Sequence, residues 1–586
     1  MSLFNALSTA VTSINALNTA VRTVSENVAN ANNPDYNRRE ENFESLQYGG
    51  VRIGDIRRIT NTGLQRDLFS QTADAQANGV RNRLYEQIEQ LTGTISNNTP
   101  LSDTFERFRT AWKAFEAAPE SNAAADEVIL AGESILNEIE RLSDGLDLIE
   151  NQVLVDIDNR VNDLNTALAE VDRLNNAIVR EKSNGRPTSQ LENLRDKQLE
   201  TVSGLIDVRT FEREDGSISV YTSSGLDLTD RNASTFTWNE ASRTLTKSGS
   251  PSSDLITGGQ LPDGELKALI DFVRTDQAAQ DSTRSGVGAL EKMRNHLDEL
   301  SYSLVDDATR ATQSTATMAS DDLLIGDLGL TAGDSFTIDV GGGAVTVPSG
   351  GGPLGAGIDA ADTVQDLVDE LNTIPNVRAR LTAHGRLEIS TVNGTDLTLA
   401  DTGNTPLQSL GLIGASPTTV PERDPPTFAT AYNNTTTEAG EAANFFEVAA
   451  GTTPDSATRT NIRVNDTLTA GTETLKKLSG TDAVGALNAQ TRSMGGSALN
   501  LSREDYTGLA AGILTDFTKR AENANSRAEE SEVLRADMKQ ALRDEVGVNI
   551  DEEMARLTVL QNSYAASARV IESVNQMLQQ LEQAAR

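Results

Sequence analysis

Residues 3–34 read LFNALSTAVTSINALNTAVRTVSENVANANNP and decide the first element of the fold. Apolar residues recur every three or four positions through this stretch, which is the spacing of one face of an α-helix. This N-terminal seam consists of Leu3, Leu7, Ala10, Ile14, Leu17, Val21, Val24 and Val28. Its repeat of seven is typical of a helix that pairs in a coiled coil. We expect the helix to end before Pro34, because proline cannot continue it.

The last segment of the chain repeats this pattern. The C-terminal seam consists of Leu557, Leu560, Tyr564, Ser567, Ile571, Val574, Leu578 and Leu581. Asp551, Glu552 and Glu553 lie in the predicted first turn, where the helix dipole favours acidic side chains. Gly547 separates this helix from the one before it. Each helix could cover a globular core by itself, but two matched seams at opposite ends favour pairing with each other.

The interior of the chain begins with further helices. An apolar seam over 101–115 stops before Pro119, and a long helix is predicted over about 125–182. The sequence SNGRP at 183–187 breaks the long helix. Another seam runs over 290–304. These segments predict a helical bundle.

In two interior stretches the apolar residues change from helical spacing to alternation. Residues 205–262 and 322–415 contain short alternating segments cut by turns rich in glycine and aspartate, which indicates β-strands. The glycine-rich run 341–357 and the run 403–440, rich in threonine, proline and asparagine, are predicted loops or linkers. The fold class is therefore multidomain α+β, with a terminal coiled coil, an elongated helical bundle and β-rich inserted outer domains.

These patterns divide the chain into four predicted domains. They are a terminal helical assembly domain (1–60 with 541–586), a helical rod-like domain (61–200 with 265–318 and 440–540), a β-rich domain (201–264) and a β-rich insertion (319–439).

Charge is distributed unevenly along the chain. The formal net charge is −36, whereas residues 1–60 carry none and residues 541–586 carry −3, which leaves −33 for the middle. Nearly neutral ends can pack against copies of themselves, and an acidic middle favours solvent. The negative net charge argues against binding to nucleic acids or to anionic membranes.

Residues that carry chemistry are scarce. The chain has no cysteine and two histidines, His296 and His384, both expected to face solvent. No glycine-rich phosphate loop or calcium loop is present, so we predict no metal, no cofactor, no catalytic residue and no enzymatic activity. Aromatic residues make up 4% of the chain, which predicts cores packed mainly by aliphatic side chains. The N-terminus lacks the basic region of a secretory signal peptide.

Two motifs resemble a known family. NVANANNPDYNR at 27–38 resembles the N-terminal motif of flagellar rod, hook and hook-associated proteins, and its part 34–38 is most similar to the hook-associated members. GVNIDEE at 547–553 resembles the C-terminal motif of the same proteins. Residues 101–143 and 194–208 are also similar to that family. The motif residues are Asn30, Pro34, Tyr36, Arg38, Asn549, Asp551 and Glu552.

The resemblance implies a structural protein of the bacterial flagellum. Such a subunit is exported unfolded by the flagellar type III apparatus and forms an extracellular ring at the junction of hook and filament. Its implied partners are copies of itself, the hook protein, the next hook-associated protein and a cytoplasmic export chaperone that holds residues 557–581. Self-assembly would use Leu3, Leu7, Ile14, Leu17, Val21, Val24, Val28, Leu557, Leu560, Tyr564, Ile571, Val574, Leu578 and Leu581.

The resemblance leaves other assignments open. Residues 322–415 resemble a small β-rich module of flagellins and the filament cap, so a flagellin-like protein or the hook protein is an alternative within the flagellum. A secreted adhesin would not need matched terminal seams. An enzyme such as a peptidoglycan hydrolase would need a cleft with acid and base partners, and nothing in the sequence marks one. We expect the seams to be mobile in the free subunit and to order on assembly, because nothing else would cover them there.

Overall fold

The structure is a computed structural model. It describes residues 3–584 apart from 48, 94–99, 250–253, 257, 275–287, 319–322, 351, 356–357, 359–360, 393, 424–425, 434–437, 450–455, 478–479, 490–491 and 496–499. Parts of the predicted loops 341–357 and 403–440 lie outside the described residues. The described chain mixes helices with small antiparallel sheets, in agreement with the α+β class.

The helices at 3–29, 100–117, 122–183, 289–305 and 550–584 follow predicted seams, whereas two short helices lie in the run 403–440 that was predicted to be a loop or linker. In chain order the helices are α1 (Leu3–Ala29), α2 (Thr62–Thr92), α3 (Pro100–Ala117), α4 (Asn122–Ser183), α5 (Ser189–Leu205), α6 (Glu265–Val273), α7 (Ala289–Val305), α8 (Val364–Asn372), α9 (Pro406–Ser409), α10 (Phe428–Asn433), α11 (Asp466–Thr469), α12 (Gly480–Leu487), α13 (Tyr506–Val546) and α14 (Ile550–Ala584). The long helix predicted over 125–182 is confirmed as α4. The predicted ends of α1 before Pro34 and of α13 at Gly547 are confirmed too.

The strands are short. They are β1 (Arg39–Ser45), β2 (Val51–Arg58), β3 (Val208–Glu212), β4 (Ile218–Thr222), β5 (Asp227–Thr229), β6 (Phe236–Asn239), β7 (Thr244–Lys247), β8 (Arg310–Gln313), β9 (Phe336–Asp339), β10 (Val345–Val347), β11 (Val377–Leu381), β12 (Leu387–Thr391), β13 (Leu397–Asp401), β14 (Thr418–Val420), β15 (Phe446–Val448), β16 (Ile462–Val464), β17 (Arg492–Gly495) and β18 (Asn500–Glu504). Both predicted β-rich stretches therefore contain strands.

The chain forms two compact units. The terminal unit contains 1–81, 156–270 and 525–586, and the central unit contains 82–155 and 271–524. In the terminal unit α1 packs on α14 and on the β1–β2 hairpin, whose register shifts between Asn42 and Phe43. The same unit holds a sheet in the order β3-β4-β5 and the β6–β7 hairpin.

The central unit contains an aromatic cluster. Trp112 lies at its middle and is fully buried, in edge contact with Phe115 and with rings from two other segments: Phe428 and Tyr432 on α10, and Phe445. The expectation of mainly aliphatic cores is therefore wrong for this cluster. Few aromatic residues suffice for such a core when distant segments bring them together, and each buries a large area.

A second core of the central unit lies within the predicted β-rich insertion. Sheets in the orders β10-β9-β13-β14 and β11-β12-β8 enclose mainly aliphatic side chains, such as Ile338, Leu397 and Leu399, together with the aromatic ring of Phe336. Helix α8 covers this core and begins with a capping box in which Thr363 and Asp366 bind each other's backbone N–H. This core therefore follows the aliphatic expectation.

The two histidines of the chain contact each other within the central unit. His296 on α7 is buried, and its Nδ1 lies 3.4 Å from Nε2 of half-buried His384. The expectation that both face solvent is wrong, because the turn between β11 and β12 folds onto α7. Burial, together with the neighbouring His296, lowers the pKa of His384 to about 4.

Candidate functional site: the paired chain ends

The polar face of α1 is rich in serine, threonine and asparagine and carries charge only at Arg22 and Glu26, and its hydroxyl groups bind its own backbone. Thr12 donates to the carbonyl oxygen of Ser8, and Ser13 donates to that of Thr9. Thr19, Thr23 and Ser25 make the same contact one turn back. Such bonds satisfy the hydroxyl groups within the helix. The helix can therefore lie against another surface without leaving these donors unpaired.

A small apolar cluster joins α1 to α14, so the two seams partly cover each other within the single chain, contrary to the expectation that nothing would cover them there. It consists of Leu17, Ala20, Val24 and Leu560, with Val21 and Leu557 packed at its edge. Small side chains on α1 let the two helices approach closely. Because the cluster contains few large side chains, its hydrophobic stabilisation is modest.

Residues of the predicted N-terminal seam divide into two groups. Leu17 and Val24 are buried, whereas Leu3, Leu7, Ile14, Val21 and Val28 are half-buried. The most buried side of α1 also includes Ala16, Ala20, Thr23 and Asn27. The side of α1 that packs within the chain is therefore rotated relative to the predicted seam. It includes more small side chains than the seam does.

Residues of the predicted C-terminal seam form the less exposed side of α14. Leu560 and Val574 are buried, and Leu557, Ile571 and Leu578 are half-buried. Tyr564 and Leu581 are exposed. Most other positions of α14 face solvent, including the large apolar side chains of Met554, Val559, Val570 and Met577.

Asn27 lies at the centre of a polar network at one end of this pair. Its Nδ2 donates to the carbonyl oxygen of Arg39 at 2.9 Å and to Oε2 of Glu553 at 3.1 Å. Its Oδ1 accepts from the hydroxyl of Tyr36 at 2.8 Å and from the backbone N–H of Arg39 at 3.1 Å. An asparagine amide has two donors and two acceptor sites, so every one of them is used. Asn27 therefore binds the end of α1, the β1 strand and α14 together.

Charged residues extend the network. The side chain of Glu41 is fully buried and accepts from Nη2 of Arg556 on α14 at 2.6 Å. Burial raises the pKa of the Glu41 carboxyl, and the positive charge of Arg556 opposes this. Arg38 pairs with Glu552 at 3.1 Å on the solvent side. The apolar seams thus end at a charged cluster.

The predicted motif residues lie around this network. Tyr36 is buried in it, and Arg38 also donates its backbone N–H to the carbonyl oxygen of Val546. Asn30 binds the carbonyl oxygen of Glu26 at the end of α1, and Asn549 accepts from the N–H of Asp551 at the start of α14. Asp551 and Glu552 are exposed. The motif therefore shapes the two helix ends.

A cavity of about 400 Å³ lies beside the motif within the terminal unit. Its wall includes exposed Pro34, the segment 31–37 and the end of α13. Lys197 and Asp35 form an ion pair of 2.7 Å among its lining residues.

Sequence reasoning missed the central residues of the network as site residues. These are Asn27, Glu41, Glu553 and Arg556. One signal was available. The spacing of the C-terminal seam, continued backwards from Leu560 and Leu557, reaches Glu553, so an acidic residue occupies a seam position. The partners of that acid, however, come from the other end of the chain.

Comparisons with known proteins agree on one family. Residues 85–321 match the family model "Flagellar hook-associated protein FlgK helical domain", and residues 544–584 match "Flagellar basal body rod FlgEFG protein C-terminal". These two segments are thus similar to flagellar hook-associated and rod proteins. The resemblance stated from the motifs is therefore confirmed. The second match covers α14, the helix that pairs with α1.

Individual relatives are distant. The chain is 21% identical over 252 residues to flagellar hook-associated protein 1 of Bacillus subtilis (strain 168), which is 39% of this chain and 49% of that protein. The chain thus matches about half the length of this curated relative. It is also similar to the flagellar hook junction protein FlgK from Burkholderia pseudomallei, with a TM-score of 0.44 and 12% identity over 81% of this chain and 99% of that one.

Two further properties concern cofactors and membranes. Within the residues that the structure describes, no group of three or more histidine, aspartate or glutamate side chains is arranged to hold a metal ion. Among the helices described above, none is both long enough and apolar enough to cross a membrane.

Proposed function

We propose that this chain is a structural subunit at the junction between the hook and the filament of a bacterial flagellum. In this role it is exported by the flagellar type III apparatus, becomes extracellular, and assembles into a ring through its terminal helices. The proposal assigns it no catalytic step. Its neighbours are copies of itself, the hook protein and the next hook-associated protein.

The observation that carries the proposal is the pairing of the two chain ends. The match to the rod-protein C-terminal family falls on α14, and α14 packs on α1. Residues from both ends of a 586-residue chain thus form one local structure. A relative named flagellar hook-associated protein 1 and the match to the FlgK helical domain support a hook-associated location.

Exposed apolar side chains on the pair supply a reason for assembly. Phe4 is 72% exposed, Val559 is 63% exposed and Leu581 is 55% exposed. Apolar area of this kind is stabilised when a neighbouring copy covers it. We propose that a cytoplasmic chaperone covers the exposed apolar side chains of residues 557–581 before export.

The experiment is electron microscopy of flagella from a strain that lacks this chain. We expect hooks without filaments, and filaments restored when the chain is supplied again. The Val559→Glu variant places a charge on the exposed apolar side and should restore few filaments. Gln561→Glu adds the same charge at an exposed polar position nearby and should restore them fully.

Two other results would contradict the proposal. Normal filaments in the deletion strain would exclude a role of this chain at the junction. Loss of the hooks themselves would indicate the hook protein instead.

A further inference from the structure

The apolar contact between α1 and α14 does not by itself define how far one helix is shifted along the other. Both seams repeat every seven residues, so a shift of one heptad again places apolar residues opposite apolar residues. The cluster is also small, and Ala20 at its middle fits many neighbours equally well. Some other contact must favour one alignment.

The network around Asn27 distinguishes the alignments. Asn27, which is fully buried, lies opposite Glu553 near the start of α14, and Leu17 packs further along the pair, so the helices run antiparallel. A shift of one heptad would bring Leu560 into the place of Glu553. The Nδ2 donor of Asn27 would then lose its acceptor in a buried place, which is strongly unfavourable.

A second buried contact depends on the same alignment. Glu41 on β1 is buried, and its half-buried partner Arg556 follows Glu553 by less than one turn. Because one turn of α14 carries both Glu553 and Arg556, any shift breaks both contacts at once. A buried carboxylate that loses its cation is destabilised more than one exposed to water.

We propose that Glu553, bound by Asn27, and Arg556, bound by Glu41, form a register lock that selects one alignment of α14 on α1. A single buried polar residue can select the alignment of paired helices in this way. The lock determines which apolar side chains of the pair lie side by side on its outer surface. Its consequence for ring assembly rests on the proposed function, whereas the alignment is a property of the single chain.

The absence of cysteine makes the alignment measurable in the purified full-length chain. The pair Ala20→Cys with Leu560→Cys reports the observed alignment, because both residues belong to one cluster. The pair Ala20→Cys with Ser567→Cys reports a shift of one heptad. Oxidation followed by gel electrophoresis of proteolytic fragments gives the yield of each disulfide.

In the otherwise unchanged chain we expect the first disulfide to form and the second to be nearly absent. Glu553→Leu should raise the ratio of shifted to observed disulfide about tenfold, because the acceptor for Asn27 is removed. Glu553→Gln retains an acceptor oxygen and should keep the observed alignment. Asp551→Leu changes an exposed acid in the same turn and should also leave the alignment unchanged.

Three results would overturn the lock. The ratio could stay constant in Glu553→Leu, or Asp551→Leu could shift the helices as strongly. Loss of both disulfides in Glu553→Leu would mean that Glu553 stabilises the pair without selecting its alignment. None of these outcomes depends on flagella, so failure of the lock and failure of the junction role are separable.

Discussion

The paired chain ends and the aromatic cluster of the central unit are stabilised in different ways. The cluster brings Phe108, Trp112, Phe428 and Phe445 into mutual contact, and all four are fully or almost fully buried. The α1–α14 pair has a small aliphatic cluster, a polar network at one end, and large apolar side chains in solvent. The comparison teaches that the first region buries its large apolar side chains within one chain, whereas the second leaves several of them in solvent.

The largest effect is expected when the aromatic cluster is broken. Phe108→Ala should destabilise the central unit by about 3–5 kcal/mol, because it leaves a cavity among rings that cannot collapse freely. Urea unfolding followed by Trp112 fluorescence measures this in a Trp238→Phe background, which leaves one tryptophan. Leu148→Ala, at a side chain that is 71% exposed, should change stability by less than about 0.5 kcal/mol. Equal effects of the two variants would contradict the comparison.

A smaller effect is expected from acid, and again in the central unit. His384 has a pKa of about 4 when folded, against about 6.5 when unfolded, so the unfolded chain binds the proton more tightly. Stability should therefore fall as the pH drops from about 6.5 to about 4, by an amount on the order of 3 kcal/mol. The same fluorescence assay at several pH values measures it. The fall should be smaller in His384→Gln, and an identical pH profile in that variant would exclude His384 as the cause.

The α1–α14 pair should respond locally and less strongly. Leu560→Ala removes the largest contribution of α14 to the cluster and should destabilise the pair by about 2 kcal/mol, at the low end for leucine because solvent is close. Hydrogen exchange should become faster in α1 and α14 and stay unchanged in α3. Val559→Ala on the exposed side is the control. Protection lost throughout the chain would show that the pair and the central unit unfold together.

The smallest effect concerns the start of α14. Asn549→Ala removes the side-chain oxygen that accepts from the N–H of Asp551 and should cost about 1 kcal/mol of local stability. Exchange of the first-turn amides of α14 measures it, and Asn549→Ser should retain most of their protection. If alanine and serine behave alike, the cap contributes nothing to the pair.

Local patterns predicted much of this structure. The limits of α1, α4 and α14 follow from apolar periodicity and from Pro34 and Gly547, because helix formation and its interruption depend on neighbouring residues. The motif residues Tyr36 and Arg38 were also found from the sequence, and they do contact the end of α1 or the start of α14.

Other features depended on residues that are distant in the chain. Trp112 and Phe445 gave no local sign of contact, so an aromatic content of 4% predicted an aliphatic core. The proximity of His296 and His384 depends on a turn that folds onto α7. Pairing among residues hundreds of positions apart is decided by packing and not by local spacing.

The sequence by itself determined that both ends are helices with apolar seams, that the ends are almost neutral beside an acidic middle, and that the family is flagellar. Tertiary structure decided which side of α1 is covered and that Asn27 meets Glu553. The physical reason is that a seam repeating every seven residues allows several alignments of similar apolar contact. A buried donor that needs one particular acceptor distinguishes these alignments. That acceptor is identified only when the two chain ends are seen together in the structure.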